Sequence, residues 1–204
     1  MNADSNRDHA RHGLWVSLVS VAWTLVISAV EVVLGLNHHI LTLVVFGAAG
    51  TLDAAGSVAL AVHFRHAVMH DHFAEHHERR ATLVVSCGLM VLGMVTAIES
   101  VRRLVQGGHG SHTGVGTALA GASAVVLVVL AAMKRRIGRR IESAAMVADA
   151  ALSMSGCLLG LLAVAGATFG TSPSTAWVDP AAALLIAVAA GAYGTLVLVR
   201  GSSS

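Results

Sequence analysis

The sequence predicts an all-α membrane protein with six transmembrane helices. Of its 204 residues, 55% are hydrophobic and only 12% are charged, and the mean hydropathy is +0.75. An ordinary soluble domain carries about 25% charged residues, so this class is a poor fit. One helix needs about 20 apolar residues to span a bilayer, so six spans use on the order of 120 to 140 positions. We therefore expect no second folded domain and no soluble C-terminal domain.

Long apolar windows locate the spans. They cover residues 14–36, 40–62, 81–101, 113–133, 143–167 and 177–199. Together they form a membrane domain over residues 14–200, between a polar tail at 1–13 and a short tail at 201–204. The first apolar run is too long for a signal peptide and lacks a small-residue cleavage site, so we expect it to stay in the mature protein. Cys87 and Cys157 lie inside apolar runs and give no disulfide framework.

The basic residues predict the orientation of the chain. If the N-terminus is cytoplasmic, eleven of the 13 Lys and Arg residues face inside, and only Arg102 and Arg103 face outside. Lys134 is counted among the inside-facing loop residues. Because Lys and Arg concentrate in cytoplasmic loops, we expect both termini inside, in a bacterial-type plasma membrane. The same distribution argues against a nucleic-acid surface.

Four acidic residues fall inside the predicted spans. Glu31 and Glu99 lie near the outer ends, where we expect them to reach the interface or to pair with Arg102 and Arg103. Asp53 and Asp149 lie deeper, at similar depths counted from the cytoplasmic ends. Placing an ionisable group at that depth costs roughly several kcal/mol, so we expect each one to have a partner or to line a water-filled pocket.

Asp53 and Asp149 begin similar pentapeptides. Asp-Ala-Ala-Gly-Ser starts at Asp53 and Asp-Ala-Ala-Leu-Ser at Asp149, so Ser57 and Ser153 share a helix face with their aspartates. The two segments lie on the middle helices of two three-helix halves with inverted topology, where transporters commonly place a cation site. Two carboxylates and two hydroxyls suit a hard cation or proton exchange. In the alternative interpretation, backbone or hydroxyl groups hydrogen-bond the two acids without any ion-binding role, or one of the two is an interface residue.

No enzyme is predicted. An intramembrane aspartyl protease also uses two aspartates, but its sequence is Gly-x-Gly-Asp, whereas Gly50-Thr51-Leu52 precedes Asp53. No nucleophile and base occur together elsewhere. We therefore expect no tightly bound cofactor.

A histidine-rich loop is predicted at residues 63–80 on the cytoplasmic side. Six of the chain's 12 histidines fall within 15 residues there. His66 with His70, and His72 with His76, are spaced to share a helix face, and Asp71 lies between the two pairs. Imidazole suits zinc and other transition metals, so these residues could collect metal. The alternative is a solvated, pH-sensitive segment, because no fixed four-ligand spacing appears.

Four stretches form a recognisable pattern: Glu31-Val-Val-Leu-Gly35, followed eighteen residues later by Asp53, and the segments His70-Asp-His-Phe73, Ile98-Glu-Ser-Val-Arg-Arg-Leu104 and Val178-Asp-Pro180. These stretches resemble the transmembrane domain of the cation diffusion facilitators, a family of metal transporters. The resemblance implies proton-driven metal efflux by alternating access in a homodimer. It also implies a tetrahedral site formed by (His or Asp)-x-x-x-Asp motifs on the second and fifth helices.

The motif match is incomplete. Ala49 and Ala145 stand four residues before Asp53 and Asp149, where the resemblance implies ligands. A second register of the fifth helix puts Leu152 and Gly156 at the ligand positions instead. Since both registers lose ligands, zinc should bind more weakly than in a four-ligand site.

The sequence thus predicts a compact transporter of a divalent metal, with Asp53 and Asp149 as ligands assisted by Ser57 and Ser153. Its expected partners are the lipid bilayer, the metal ion, protons and a second copy of the chain. Two alternatives remain: a non-transporting membrane scaffold or sensor with the same fold, and a transporter of an organic molecule.

Overall fold

A computed structural model describes residues 3–37, 41–70, 75–106, 114–169 and 177–202. These residues form six helices and no strand, which confirms the predicted fold class. The helices are α1 (Ala3–Asn37), α2 (Leu41–His70), α3 (Glu75–Gln106), α4 (Gly114–Arg140), α5 (Ala144–Phe169) and α6 (Val178–Ser202).

Five helices contain a stretch long and apolar enough to cross a bilayer, counted over the described residues. These stretches lie in every helix except α2: Arg11–Leu34, His77–Val105, Gly114–Arg140, Ala144–Ala165 and Pro180–Arg200. Large apolar side chains on the outer surface, such as Trp15, Leu185 and Val105, are well exposed, as expected of a surface in contact with lipid.

The helices are longer than the predicted spans. The supposed N-terminal tail joins α1 from Ala3, and most of the predicted loop at 63–80 is helical, up to His70 on α2 and from Glu75 on α3. Likewise, α4 continues to Arg140 instead of ending near Met133. Hydropathy windows detect only the apolar part of a helix, whereas the helix itself continues through the flanking polar residues beyond the hydrocarbon core.

Four helices enclose the centre of the molecule. Helix α1 packs on α2 and α4 packs on α5, and the two pairs meet through α1–α4 and α2–α5 contacts. Helices α3 and α6 pack on each other beside this bundle, against α2 and α5. Contacts α1–α2 and α2–α3 in the first half correspond to α4–α5 and α5–α6 in the second, as inverted halves require.

Helices α3 and α6 approach closely through small residues. A Cβ added at Gly93 of α3 would lie 2.7 Å from the carbonyl oxygen of Ala187 on α6, and one at Gly194 would lie 2.9 Å from the carbonyl oxygen of Ser86. Only glycine permits such contact between helix backbones.

A tight turn joins α4 to α5. Ser143 N donates to Gly138 O at 2.9 Å, and Glu142 between them has a φ of 55°. This is the Schellman pattern that ends a helix on a left-handed residue. Ser143 then caps the N-terminus of α5, since its Oγ accepts from Met146 N at 3.2 Å. Two caps in succession fix the direction in which α5 leaves α4.

Candidate cation site

Two acids and two serines pair reciprocally between α2 and α5 at the centre of the bundle. Ser57 Oγ donates to Asp149 Oδ2 at 3.2 Å, and Ser153 Oγ lies 3.4 Å from Asp53 Oδ1. Each aspartate thus contacts the serine of the other pentapeptide, because the two helices run antiparallel. Asp53 is 7% exposed and Asp149 is fully buried. The structure therefore brings together the four residues that the sequence placed in one pocket.

Helix α1 adds two hydroxyl groups to this pocket. Thr24 Oγ1 donates to Asp53 Oδ2 at 3.2 Å, and Ser20 Oγ lies 3.1 Å from Ser57 Oγ. Both side chains are buried. We call Ser20, Thr24, Asp53, Ser57, Asp149 and Ser153, together with Lys134, the candidate cation site.

Lys134 lies in the middle of the site. Its Nζ is 2.7 Å from Asp149 Oδ2, 2.9 Å from Ser153 Oγ and 3.1 Å from Ser57 Oγ. Lys134 and Asp149 are both fully buried. An ammonium group has three N–H donors, so these three oxygens satisfy it completely.

The charges of the site are unequally matched. Asp149 has the Lys134 ammonium beside it, whereas Asp53 accepts hydrogen bonds from the hydroxyls of Thr24 and Ser153. Asp149 Oδ1 is buried and has no hydrogen-bond partner among the residues that the structure describes. One carboxylate oxygen therefore keeps an unused acceptor position inside the bundle.

Helix geometry explains why Lys134 enters the bundle. It lies six residues before the end of α4, about 9 Å along the helix axis. Helical side chains lean toward the N-terminus of their helix, so the lysine stem points away from the basic end of α4. Lys134 shares a buried stripe with small neighbours on α4: Ala120, Ser123, Ala124, Ala131 and Gly138.

The oxygen donors of this pocket suit a hard cation. Carboxylate and hydroxyl oxygens favour magnesium, calcium or manganese, whereas imidazole and thiolate favour softer metals. In the described part of the chain, no three His, Cys, Asp or Glu side chains come together to hold a metal. A cation here would thus depend on the hydroxyl groups in addition to the two carboxylates.

Comparison with known families matches the cation efflux transmembrane domain to residues 17–203, nearly the whole chain. The chain belongs to the cation efflux family. This confirms the resemblance to cation diffusion facilitators that the motifs indicated.

A curated relative agrees with the family assignment. The manganese efflux system protein MneS of Bacillus subtilis (strain 168) is 25% identical over 187 residues. The match covers 88% of this chain and 63% of the relative. The chain therefore spans less than two thirds of that protein's length.

The positions where the cation efflux resemblance implies further ligands carry apolar groups. Ala145 is fully buried in a cluster with Met146, Leu60 and Phe64. In the other register, Leu152 packs with Val85 and Leu89, and a Cβ at Gly156 would lie 3.3 Å from Leu127. The side chain of Ala49 lies outside the described residues. Neither register of α5 thus supplies an imidazole or a further carboxylate.

Glu31 and Glu99, the two acids predicted near the outer ends of their spans, have different surroundings. Glu99 pairs with Arg102 at 3.2 Å and with Arg103 at 2.9 Å along α3, as predicted. The prediction that Glu31 reaches the interface is wrong, because this residue is only 2% exposed. It lies on a buried stripe of α1 that hydropathy cannot distinguish from a lipid-facing one.

The predicted metal-collecting histidines are described only in part. The His66 ring lies 4.5 Å from the ring of His77, between centroids, so a contact joins α2 to α3. The side chains of His70 and His76, and the whole of Asp71 and His72, lie outside the described residues. His63 is buried, with Nε2 3.0 Å from Glu78 Oε2. These contacts place His63 and His66 in helix packing and not in a solvated loop.

Sequence reasoning missed three residues of the site: Lys134, Ser20 and Thr24. Lys134 opens the run Lys-Arg-Arg, from which the sequence predicts an inside-facing loop residue. The structure corrects this, because Lys134 lies on α4 and is fully buried. The sequence signal that could have identified Lys134 is its spacing: Leu130, Ala131, Lys134 and Gly138 recur at helical intervals and so share one face of α4. Ser20 and Thr24 gave no comparable signal, since hydroxyls in membrane helices often bond their own backbone.

Proposed function

We propose that the chain exports a divalent metal cation across the membrane, with Asp53 and Asp149 as its direct ligands. Ser57 and Ser153 assist them. The observation that supports this most is the reciprocal pairing of two buried acids, one from each inverted half, at the centre of a bundle in the cation efflux family. Intramembrane carboxylates facing a bundle interior are typical of ion pathways.

We propose a hard divalent ion, manganese above zinc, as the cargo. The described site offers carboxylate and hydroxyl oxygens and no imidazole, which favours such an ion. The relative MneS is named a manganese efflux protein, which agrees with this donor set.

The transport cycle is proposed to be proton-coupled alternating access. At the site, individual side-chain hydrogen bonds join the helix pair α1–α2 to the pair α4–α5. Examples are the bonds of Asp53 with Ser153 and of Ser57 with Lys134. Rocking one pair against the other would expose the carboxylates first to one side and then to the other. Carboxylates that release metal on the outside would take protons there and return them inside.

The inner ends of α2 and α3 are proposed to collect metal on the cytoplasmic side. His66 would take part, together with His70, Asp71, His72 and His76 from the adjoining segment. Both termini are proposed to lie in the cytoplasm, the bilayer is proposed to be a bacterial-type plasma membrane, and the working unit is proposed to be a homodimer. Pull-down of a differently tagged second copy from detergent would test that last point.

Metal flux into vesicles tests the function. The purified chain is reconstituted with a manganese-sensitive dye, and uptake is measured with and without a pH gradient. Asp53→Asn is expected to reduce uptake at least about tenfold, because half of the ligand charge is lost. Glu142→Gln removes an exposed carboxylate and is expected to leave uptake unchanged. Equal uptake by the Asp53→Asn variant and the parent chain would overturn the proposal.

A non-transporting scaffold or sensor is the second candidate, and Lys134 favours it. The ammonium already binds one oxygen each of Asp149, Ser57 and Ser153, and Ala145 supplies no further ligand. This candidate predicts no uptake by the parent chain at any pH gradient, together with a stable protein partner in pull-downs. Uptake that depends on Asp53 excludes it.

A further inference from the structure

The Lys134 ammonium uses the same oxygens that the proposed cargo would use. Asp149 Oδ2, Ser57 Oγ and Ser153 Oγ lie 2.7, 3.1 and 2.9 Å from its Nζ. Three of the four residues predicted as metal ligands or helpers are therefore direct partners of one buried amine. A metal ion could not bind the same oxygen atoms at ligand distance while the amine stays among them.

Lys134 is also the only lysine in the chain. The other twelve basic residues are arginines, and those with described side chains are exposed, apart from the partly exposed Arg103. An ammonium is a compact point charge on a flexible stem, whereas a guanidinium is a broad planar fork. Among the Lys and Arg residues with described side chains, the one inside the bundle thus carries the cation that best fits a small oxygen pocket.

Charge balance makes the amine and a divalent ion alternatives. Two carboxylates and one ammonium leave the site with one negative charge. A divalent ion added beside the ammonium would give an excess positive charge in a buried site, which is costly. A divalent ion that replaces the ammonium is balanced by the two carboxylates.

We propose that Lys134 is a tethered competitor for the transported cation and sets the selectivity of the site. A cargo ion enters only if it binds Asp149, Ser57 and Ser153 strongly enough to displace the amine. When the ion leaves, the amine returns and neutralises Asp149. This inference rests on the proposed transport function and deepens it, because it names the residue that decides which ions are accepted.

Binding of Mn²⁺ to the purified full chain tests the proposal, with calorimetry as the measurement. Lys134→Met keeps the length of the apolar stem and removes the charge. It is expected to bind Mn²⁺ about tenfold or more tightly than the parent chain, because no ammonium has to be displaced. Arg135→Met is the matched control: it removes a neighbouring positive charge, at an exposed position of the same helix, and is expected to leave the affinity unchanged.

A second measurement needs no variant at Lys134, in case the substitution prevents folding. A water-soluble amine-acylating reagent can modify only Lys134 and the N-terminal amine. Saturating Mn²⁺ is expected to raise the rate of Lys134 acylation about tenfold relative to the N-terminal amine, as measured by mass spectrometry. Potassium chloride at equal ionic strength is expected to leave that rate unchanged.

The outcomes separate this inference from the proposed function. If Asp53→Asn abolishes vesicle uptake while Lys134→Met and Arg135→Met bind Mn²⁺ equally, the function stands and the competitor role is overturned. Mn²⁺ binding without any change in Lys134 acylation also overturns it. If the parent chain shows no flux but Lys134→Met gains Mn²⁺ binding, the competitor role stands and transport fails. Binding by neither chain overturns both.

Discussion

The Lys134 ammonium lies 2.7 Å from the Asp149 carboxylate, and neither side chain is exposed. Breaking such a pair leaves an uncompensated buried charge, which is strongly destabilising, whereas removing both charges together is often neutral. The first prediction follows from this asymmetry.

Asp149→Asn is expected to lower the free energy of unfolding by about 3 kcal/mol or more, because it leaves the ammonium without its carboxylate. The double variant Asp149→Asn with Lys134→Met is expected to recover most of that loss. Thermal unfolding in one detergent compares the parent chain, the two single variants and the double variant. Additive losses in the double variant would show that the pair is not coupled.

The start of α5 depends on Ser143 and Glu78. Ser143 Oγ donates to Glu78 Oε1 at 2.8 Å and accepts from Met146 N, while Ala145 N donates to the same carboxylate at 3.1 Å. Ser143→Ala is expected to cost about 1 to 2 kcal/mol, because it removes the cap and one partner of Glu78.

Ser155→Ala is the control for the cap. Among the described residues, its hydroxyl bonds only the carbonyl oxygen of Ala151, one turn earlier on the same helix, so we expect a change within about 0.5 kcal/mol. Chemical unfolding followed by tryptophan fluorescence measures both variants. An equal effect of the two serines would contradict the assigned cap.

Glu142 occupies a left-handed backbone conformation with a φ of 55°. This conformation costs a residue with a Cβ about 1 kcal/mol or more, and glycine adopts it freely. Glu142→Gly is therefore expected to raise the stability by about 1 kcal/mol, seen as a higher unfolding temperature. Glu142→Ala keeps the Cβ and is expected to give no such gain; a similar rise in both variants would point to the lost charge instead.

The α3–α6 contact gives a prediction with a neighbouring control. A Cβ at Gly93 would lie 2.7 Å from the carbonyl oxygen of Ala187, whereas a Cβ at Gly191 meets nothing within 4 Å. Gly93→Ala is expected to destabilise by about 1 to 3 kcal/mol, because one of the two helices must shift. Gly191→Ala is expected to be neutral or slightly stabilising, since alanine favours helix. Unfolding temperatures compare the two variants, and equal effects would refute the close approach.

Much of the architecture could be predicted from the sequence, because bilayer thickness fixes the length of an apolar run. The depth of Asp53 and Asp149 could be counted from the ends of those runs, and the serine at i+4 followed from helix periodicity. That counting placed the four residues at similar depth, and the structure brings them together. Their role as metal ligands stays a prediction.

The residues whose positions were not predicted from the sequence are those whose burial depends on which face of a helix packs against the bundle. Lys134 looked like the start of a cytoplasmic basic run, and Glu31 looked like an interface residue. Hydropathy windows average over all faces of a helix, so they cannot tell a bundle-facing charge from one at the membrane surface. Contacts between helices decide that, and one sequence does not specify them.

The placement of the sole lysine has a practical consequence for following the opening of the bundle. An endoproteinase that cleaves only after lysine has a single target bond in this chain, between Lys134 and Arg135, inside α4. Digestion can proceed only from molecules in which that turn of the helix has unwound. The rate of cleavage at this bond therefore measures local unfolding beside the candidate cation site, without any added label.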